Sequence, residues 1–92
     1  EVFDRLGRRA SEPLRAVRNG STLRHTAEEF LRLHGNWQQS ADALGCHRHT
    51  LRYRVRRIEE LYGCSFDEAG DRVDLWLGLR AWQASEDWDQ IA

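Results

Sequence analysis

The sequence contains no methionine, no lysine and only two cysteines, and none of its apolar runs approaches a membrane span. Two cysteines, Cys46 and Cys64, are too few and too irregularly placed for a disulfide framework, so a reducing cytoplasm is the expected compartment. With Glu1 in first place and no methionine, the chain is expected to be a fragment or processed form that something precedes, and no signal-peptide pattern is visible. The absence of lysine leaves arginine as the sole strong base, a feature that reflects codon bias rather than mechanism. Strand patterns, internal repeats and low-complexity tracts are also missing.

What is present points to one small helical domain. Its 92 residues are 40% hydrophobic and 10% aromatic, a folding composition. A chain of this size buries only about 60 to 65% of its unfolded surface, so its core is modest and partner chains are expected to complete it. The expected fold is all-α, a small bundle of four or five short helices.

The net charge of −1 conceals a separation along the chain. Residues 1–43 carry seven Arg and six acids, residues 44–58 five Arg and no acid, and residues 59–92 two Arg and nine acids. A local basic patch suffices for contact with nucleic acid, while the acidic final third repels it and orients the approach.

Residues 36–63 organise the remainder. Asn36 is a candidate N-cap for a short helix that ends at Leu44. Gly45 suits the positive φ of a tight turn, and Ala41 is small enough for two helices to cross closely. A second helix starts near His47 or Arg48 and carries Leu51, Val55, Ile58 and Tyr62 on one apolar stripe, with Leu61 beside it, until Gly63 stops it. At about 100° per residue the opposite side presents His49, Arg52, Tyr53, Arg56 and Arg57, with Arg48 at the free N-terminal end. A buried aliphatic seam with an Arg-rich outer face suits the DNA major groove, where guanidinium groups pair with guanine edges or grip phosphates. The pattern is that of a helix-turn-helix.

The run SADALGCHRHTLRYRVRRIEELYG, followed by DEAGDRVDLWLGLRAW, resembles the C-terminal DNA-binding domain of the PucR family of bacterial regulators of purine and sugar-diacid catabolism. The resemblance covers about residues 22–83 and is most specific over HRHTLRYRVRRIEEL. More distantly, the turn is similar to that of the factor for inversion stimulation. The resemblance implies a transcription factor whose effector-sensing domains lie upstream. It departs from the family at His49, where many relatives carry Asn, at Cys46, which replaces a bulkier aliphatic, and over the first twenty residues.

The rest of the chain is read around this unit. Residues 1–20 form a lead-in from an upstream domain: an apolar helix fragment at Val2, Phe3 and Leu6, a connection at Gly7, then a brief helix over about 12–18 with Ser11 as N-cap and Pro13 in its first turn. The DNA-binding domain spans 21–85. Its first helix starts at Ser21, carries Leu23, Ala27, Phe30, Leu31 and His34, and closes at Gly35. A last helix, capped by Ser65 or Asp67, bears a wide stripe of Val73, Leu75, Trp76, Leu79 and Trp82, extended by Leu77, which points to a thick core contact or a dimer interface. Residues 86–92 are expected to fray.

By resemblance, Arg48 and His49 read bases. His47 either caps the helix or touches a base, and Tyr53 offers its hydroxyl to a phosphate or its ring to a thymine methyl. Thr50, Arg52, Arg54, Arg56 and Arg57 are candidate phosphate contacts, although Arg56 has the i,i+4 spacing for an ion pair with Glu60. Gln38, Gln39 and Ser40, at the start of the short helix, are further phosphate candidates. Trp37 either lies against the DNA backbone or staples the helix start. Ala41, Leu44, Gly45, Leu51 and Val55 build the turn.

Cys46, His47 and His49 invite a metal, but Cys64 lies a whole helix away, about 27 Å at 1.5 Å per residue, so no metal and no cofactor is expected. No nucleophile beside a base and no paired carboxylates indicate an enzyme. The expected partner is double-stranded DNA with an inverted-repeat operator, bound by a homodimer. The alternative is a helical interaction module whose Arg face meets an acidic protein.

Overall fold

The computed structural model describes residues 2–91, which form five helices and no strand. These are α1 (Val2–Arg15), α2 (Gly20–Arg32), α3 (Trp37–Leu44), α4 (Arg48–Tyr62) and α5 (Ala69–Ile91). The all-α bundle is the architecture that the apolar periodicity and the lack of strand pattern imply.

The helix-turn-helix forms for local reasons. The Asn36 side chain accepts from the Gln39 amide at 2.8 Å, satisfying one of the amides left without a partner in the first turn of α3. Gly45, at φ 63°, ends α3, and the Cys46 amide reaches back to the Ala41 carbonyl at 3.0 Å. Gly63, also at φ 63°, ends α4 in the same way, with the Cys64 amide on the Glu59 carbonyl at 3.1 Å. A left-handed residue followed by this long backbone bond is the closure that glycine makes without steric penalty.

The core lies where α2, α3, α4 and α5 meet. Leu23, Ala27 and Phe30 of α2 pack with Ala41 of α3, Leu51, Val55 and Ile58 of α4, and Leu75 and Leu79 of α5. Phe30 joins Trp37 at 4.8 Å between ring centroids and meets Phe66 edge-on at 5.1 Å. Aromatic pairs of this kind contribute about 0.5–1.5 kcal/mol each beyond the area they bury.

Three local expectations fail because a tertiary partner overrides a local signal. The first concerns the lead-in, where no break occurs at Gly7 and Ser11 caps nothing. α1 is continuous, because Gly7, Ala10, Ser11 and Leu14 form one buried stripe along α5. The two helices run antiparallel and close together: a β-carbon at Gly7 would lie 3.3 Å from the Trp82 backbone, and one at Gly78 would lie 3.0 Å from the Ala10 β-carbon. Gly7 therefore provides close approach, and the buried Ser11 hydroxyl donates to the Arg8 carbonyl at 3.3 Å. Pro13 sits in the last turn of this helix rather than in the first turn of another.

The second concerns α2, which starts at Gly20, with Asn19 in the cap position and no side-chain cap bond, so Ser21 is inside the helix. Gly20 is required because a β-carbon there would fall 2.1 Å from the Leu14 carbonyl oxygen. The third concerns the acidic tail, which stays helical through Ile91. Arg24 of α2 holds it, donating to both oxygens of Glu86 at 2.9 and 3.0 Å with its guanidinium 3.6 Å from the centre of the Trp82 ring.

The loop before α5 is held by the acids around it. Glu59 accepts from the Phe66 amide at 2.8 Å and Asp71 from the Ser65 amide at 2.9 Å. Ser65 accepts from the Asp67 amide at 3.2 Å within the loop, and the helix begins at Ala69, beyond both expected caps. No helix among the described residues is long and apolar enough to cross a membrane.

Candidate nucleic-acid interface

α4 buries one side and leaves the other open. Leu51 and Ile58 are fully covered and Val55 nearly so, whereas Arg48, His49, Thr50, Arg52, Tyr53 and Arg56 are exposed. None of Arg48, Arg52 and Arg56 is in an ion pair among the described residues. Arg54 is half-buried, because its position turns toward the flank of the apolar stripe and away from the outer face. The acid expected beside Arg56 pairs instead with Arg57: Glu60 lies 3.8 Å from the Arg57 guanidinium at i,i+3 spacing, leaving Arg56 free.

His47 is the N-cap of α4. Its Nδ1 accepts from the His49 amide at 3.1 Å, and the two imidazoles stack at 5.0 Å with an interplanar angle of 14°. That bond uses one ring nitrogen of His47 and leaves Nε2 facing solvent.

Around α3 the expected phosphate contacts separate. Gln38 and Gln39 are exposed, the former donating to Asp42 at 3.0 Å. Ser40 is fully buried, so it cannot reach a phosphate; its place is on the side of α3 that packs inward with Ala41. Its hydroxyl has no partner there. Trp37 packs: one part of the ring lies against Phe30, and the Arg52 guanidinium stands 5.7 Å from its centroid.

Two side chains absent from the sequence-based site join Arg52 and Arg56. A cleft of about 450 Å³ between the α2–α3 turn and α4 is lined by His34, Trp37, Arg52, Arg56, Glu59 and Asp67, with Arg72 from the start of α5. No local pattern marks His34 or Arg72, since both reach the cleft only through the packing of α2 and α5 on α4. Among the described residues no group of three or more His, Cys, Asp or Glu is placed to hold a metal ion.

The Cys64 thiol is pushed up to about 11 by burial, and the neighbouring carboxylates of Asp71 and Glu59 add to the effect. Tyr62 is raised well above the ordinary phenol range, again chiefly by burial, and its hydroxyl donates to the Ala10 carbonyl of α1. Both groups are therefore neutral structural elements, away from the exposed face of α4.

The family model for the PucR C-terminal helix-turn-helix domain matches residues 23–81. The chain belongs to this family. The PucR domain match thus takes in α3 and α4 entire, α2 from Leu23 onward and α5 as far as Ala81, and leaves α1 outside. Over 67 residues, 73% of the chain, the sequence is 39% identical to the transcriptional activator PmfR of Paenarthrobacter nicotinovorans and spans 14% of it. Over the same extent it is 34% identical to the carbohydrate diacid regulator of Escherichia coli strain K12, spanning 17%. It is also 40% identical over 58 residues, 63% of the chain, to an uncharacterized protein in the pkwA 5' region of Thermomonospora curvata, spanning 32%. The chain therefore covers less than a third of each of these relatives. No solved structure matches it.

Proposed function

We propose that this PucR-type domain reads DNA for a bacterial transcription regulator, with α4 in the major groove. One observation carries the reading: Arg48, His49, Arg52, Tyr53 and Arg56 are exposed on a helix whose opposite side is buried, and the three Arg among them have no acidic partner among the described residues. A rigid helix presenting free guanidinium groups has the shape and charge to enter the groove. Arg48 and His49, at the N-terminal end, contact base edges. Tyr53 and the Nε2 of His47 lie within the same patch. Gln38, Gln39, Thr50, Arg52, Arg56 and Arg57 hold phosphates, and Arg54 reaches one from the flank.

Two copies related by a two-fold axis present their α4 helices to successive major grooves about 34 Å apart, so the operator is an inverted repeat. Val73 and Leu77, which the fold leaves exposed on α5, support an association of copies. Effector sensing belongs to parts of the regulator outside this chain, and the site of action is the cytoplasm.

Selection from a random duplex pool, run at two salt concentrations with the protein and with Arg48→Ala, tests the proposal. An enriched inverted repeat that loses definition in the variant is the expected result. No enrichment and no binding even at low salt would sink it in favour of an interaction module for an acidic protein.

A further inference from the structure

Three helix ends in this fold share a left-handed residue followed by an amide that bonds five residues back. α3 ends on Gly45 and α4 on Gly63, each with φ 63°, and the next amide bonds five residues back. At the end of α2 the equivalent position is His34, with φ 58°, and the Gly35 amide bonds to the Phe30 carbonyl at 2.8 Å. A side chain in this left-handed region is strained, because its β-carbon crowds the backbone carbonyl that follows, and glycine avoids that crowding. His34 is the only non-glycine residue with positive φ among the described residues. Residues held in such a conformation cluster at functional sites.

The surroundings of His34 indicate that use. Its side chain is exposed and lines the cleft with Arg52, Arg56 and Arg72. Arg52 is steadied over Trp37, and Arg72 is anchored by a 2.6 Å bond to the Phe66 carbonyl. Three guanidinium groups face two carboxylates there, Glu59, which accepts the Phe66 amide, and the exposed Asp67, so positive charge exceeds negative. The cleft is continuous with the exposed face of α4, sharing Arg52 and Arg56 with it.

We infer that this cleft is a phosphate-binding site that takes a backbone phosphodiester of the DNA strand flanking the groove entered by α4, with His34 and Arg72 as contacts supplied from outside the recognition helix. The inference rests on the DNA-binding reading above. An imidazole N–H donates to the phosphate oxygen, and the guanidinium groups neutralise it. No base is read there.

The test is His34→Gly, which removes the contact and matches the residue found at the other two closures. Its melting temperature should equal or exceed that of the parent, while affinity falls about tenfold, and equally, for a selected site and for a duplex of arbitrary sequence. Unchanged affinity for both duplexes overturns the inference, as does a loss confined to the selected site, which would make His34 a base contact. Failure of the parent protein to bind any duplex at low salt removes the DNA-binding reading itself, a different result from a silent variant. Inorganic phosphate, followed through the His34 imidazole resonances, separates the remaining source. Saturation by the free ion at concentrations that leave the DNA complex intact would assign the cleft to a soluble anion and overturn the DNA assignment.

Discussion

The Nδ1 of His47 accepts the backbone amide of His49 at 3.1 Å, so the helix proposed to read DNA is capped by a side chain from its own basic patch. Only an imidazole unprotonated at Nδ1 can do this, because the imidazolium ion has two donors and no acceptor. Loss of the cap in His47→Ala should lower stability by about 1 kcal/mol, whereas His47→Ser, which restores an acceptor, should recover most of it. Chemical denaturation of the three proteins measures this. If DNA affinity falls in both variants while stability falls only in the first, Nε2 also contacts DNA.

Ser40 makes the opposite case. Its hydroxyl is fully buried without a partner, so it bears a desolvation cost with no compensating bond. Ser40→Ala should stabilise the fold by about 1 kcal/mol and leave DNA affinity unchanged. Weakened binding in a fully folded Ser40→Ala protein would restore Ser40 as a contact.

Gly20 tests the junction of α1 and α2. Any β-carbon there collides with the Leu14 carbonyl oxygen at 2.1 Å, and the obstacle is backbone rather than a movable side chain. Gly20→Ala should therefore destabilise by about 1–3 kcal/mol, although alanine is the better helix former. A thermal melt at or above that of the parent would show that the two helices can separate at no cost.

Cys64 provides a pH signature. Its thiol titrates near 11 in the fold, above the ordinary value of 9.0, because burial disfavours the thiolate. Its alkylation by iodoacetamide at pH 8 should accordingly be much slower in the native protein than in urea, as mass spectrometry would reveal. The sign for stability follows: the folded state retains a proton that the unfolded chain gives up, so this contribution is complete below about pH 9 and is lost as the pH rises toward 11. Equal native and denatured rates would show that the thiol is not shielded.

Arg48 and His49 are the residues on which sequence reading is proposed to turn. Alanine at either should lower affinity for a selected operator by about 1–3 kcal/mol, with a smaller effect on arbitrary DNA. Equal losses on all sequences would make them phosphate contacts.

The order in which these features become legible has a physical cause. Asn36, Gly45 and Gly63 act within a few residues of themselves, through one cap bond or one left-handed residue, so their roles follow from local chemistry. The stripe of Leu51, Val55 and Ile58 is equally legible, because the turn of a helix fixes which residues share a side. Gly7 and Ser11 are misleading for the same reason. Read locally they signal a break and a cap, but the neighbouring α5 makes them contact positions in an unbroken helix. Arg56 and Arg57 illustrate the limit within a single helix, since both lie within reach of Glu60 and side-chain placement decides which one pairs.

The helical class, the helix-turn-helix and the side of α4 that carries arginine are legible in the residues alone, because periodicity and capping operate over one or two turns of chain. Packing makes α1 a partner of α5, turns Ser40 inward, and brings His34 and Arg72 to Arg52 and Arg56 around one cleft. Those relationships join residues far apart in the chain, and no local spacing encodes them. They arise when buried apolar surface brings the helices together and sets which of their other side chains meet.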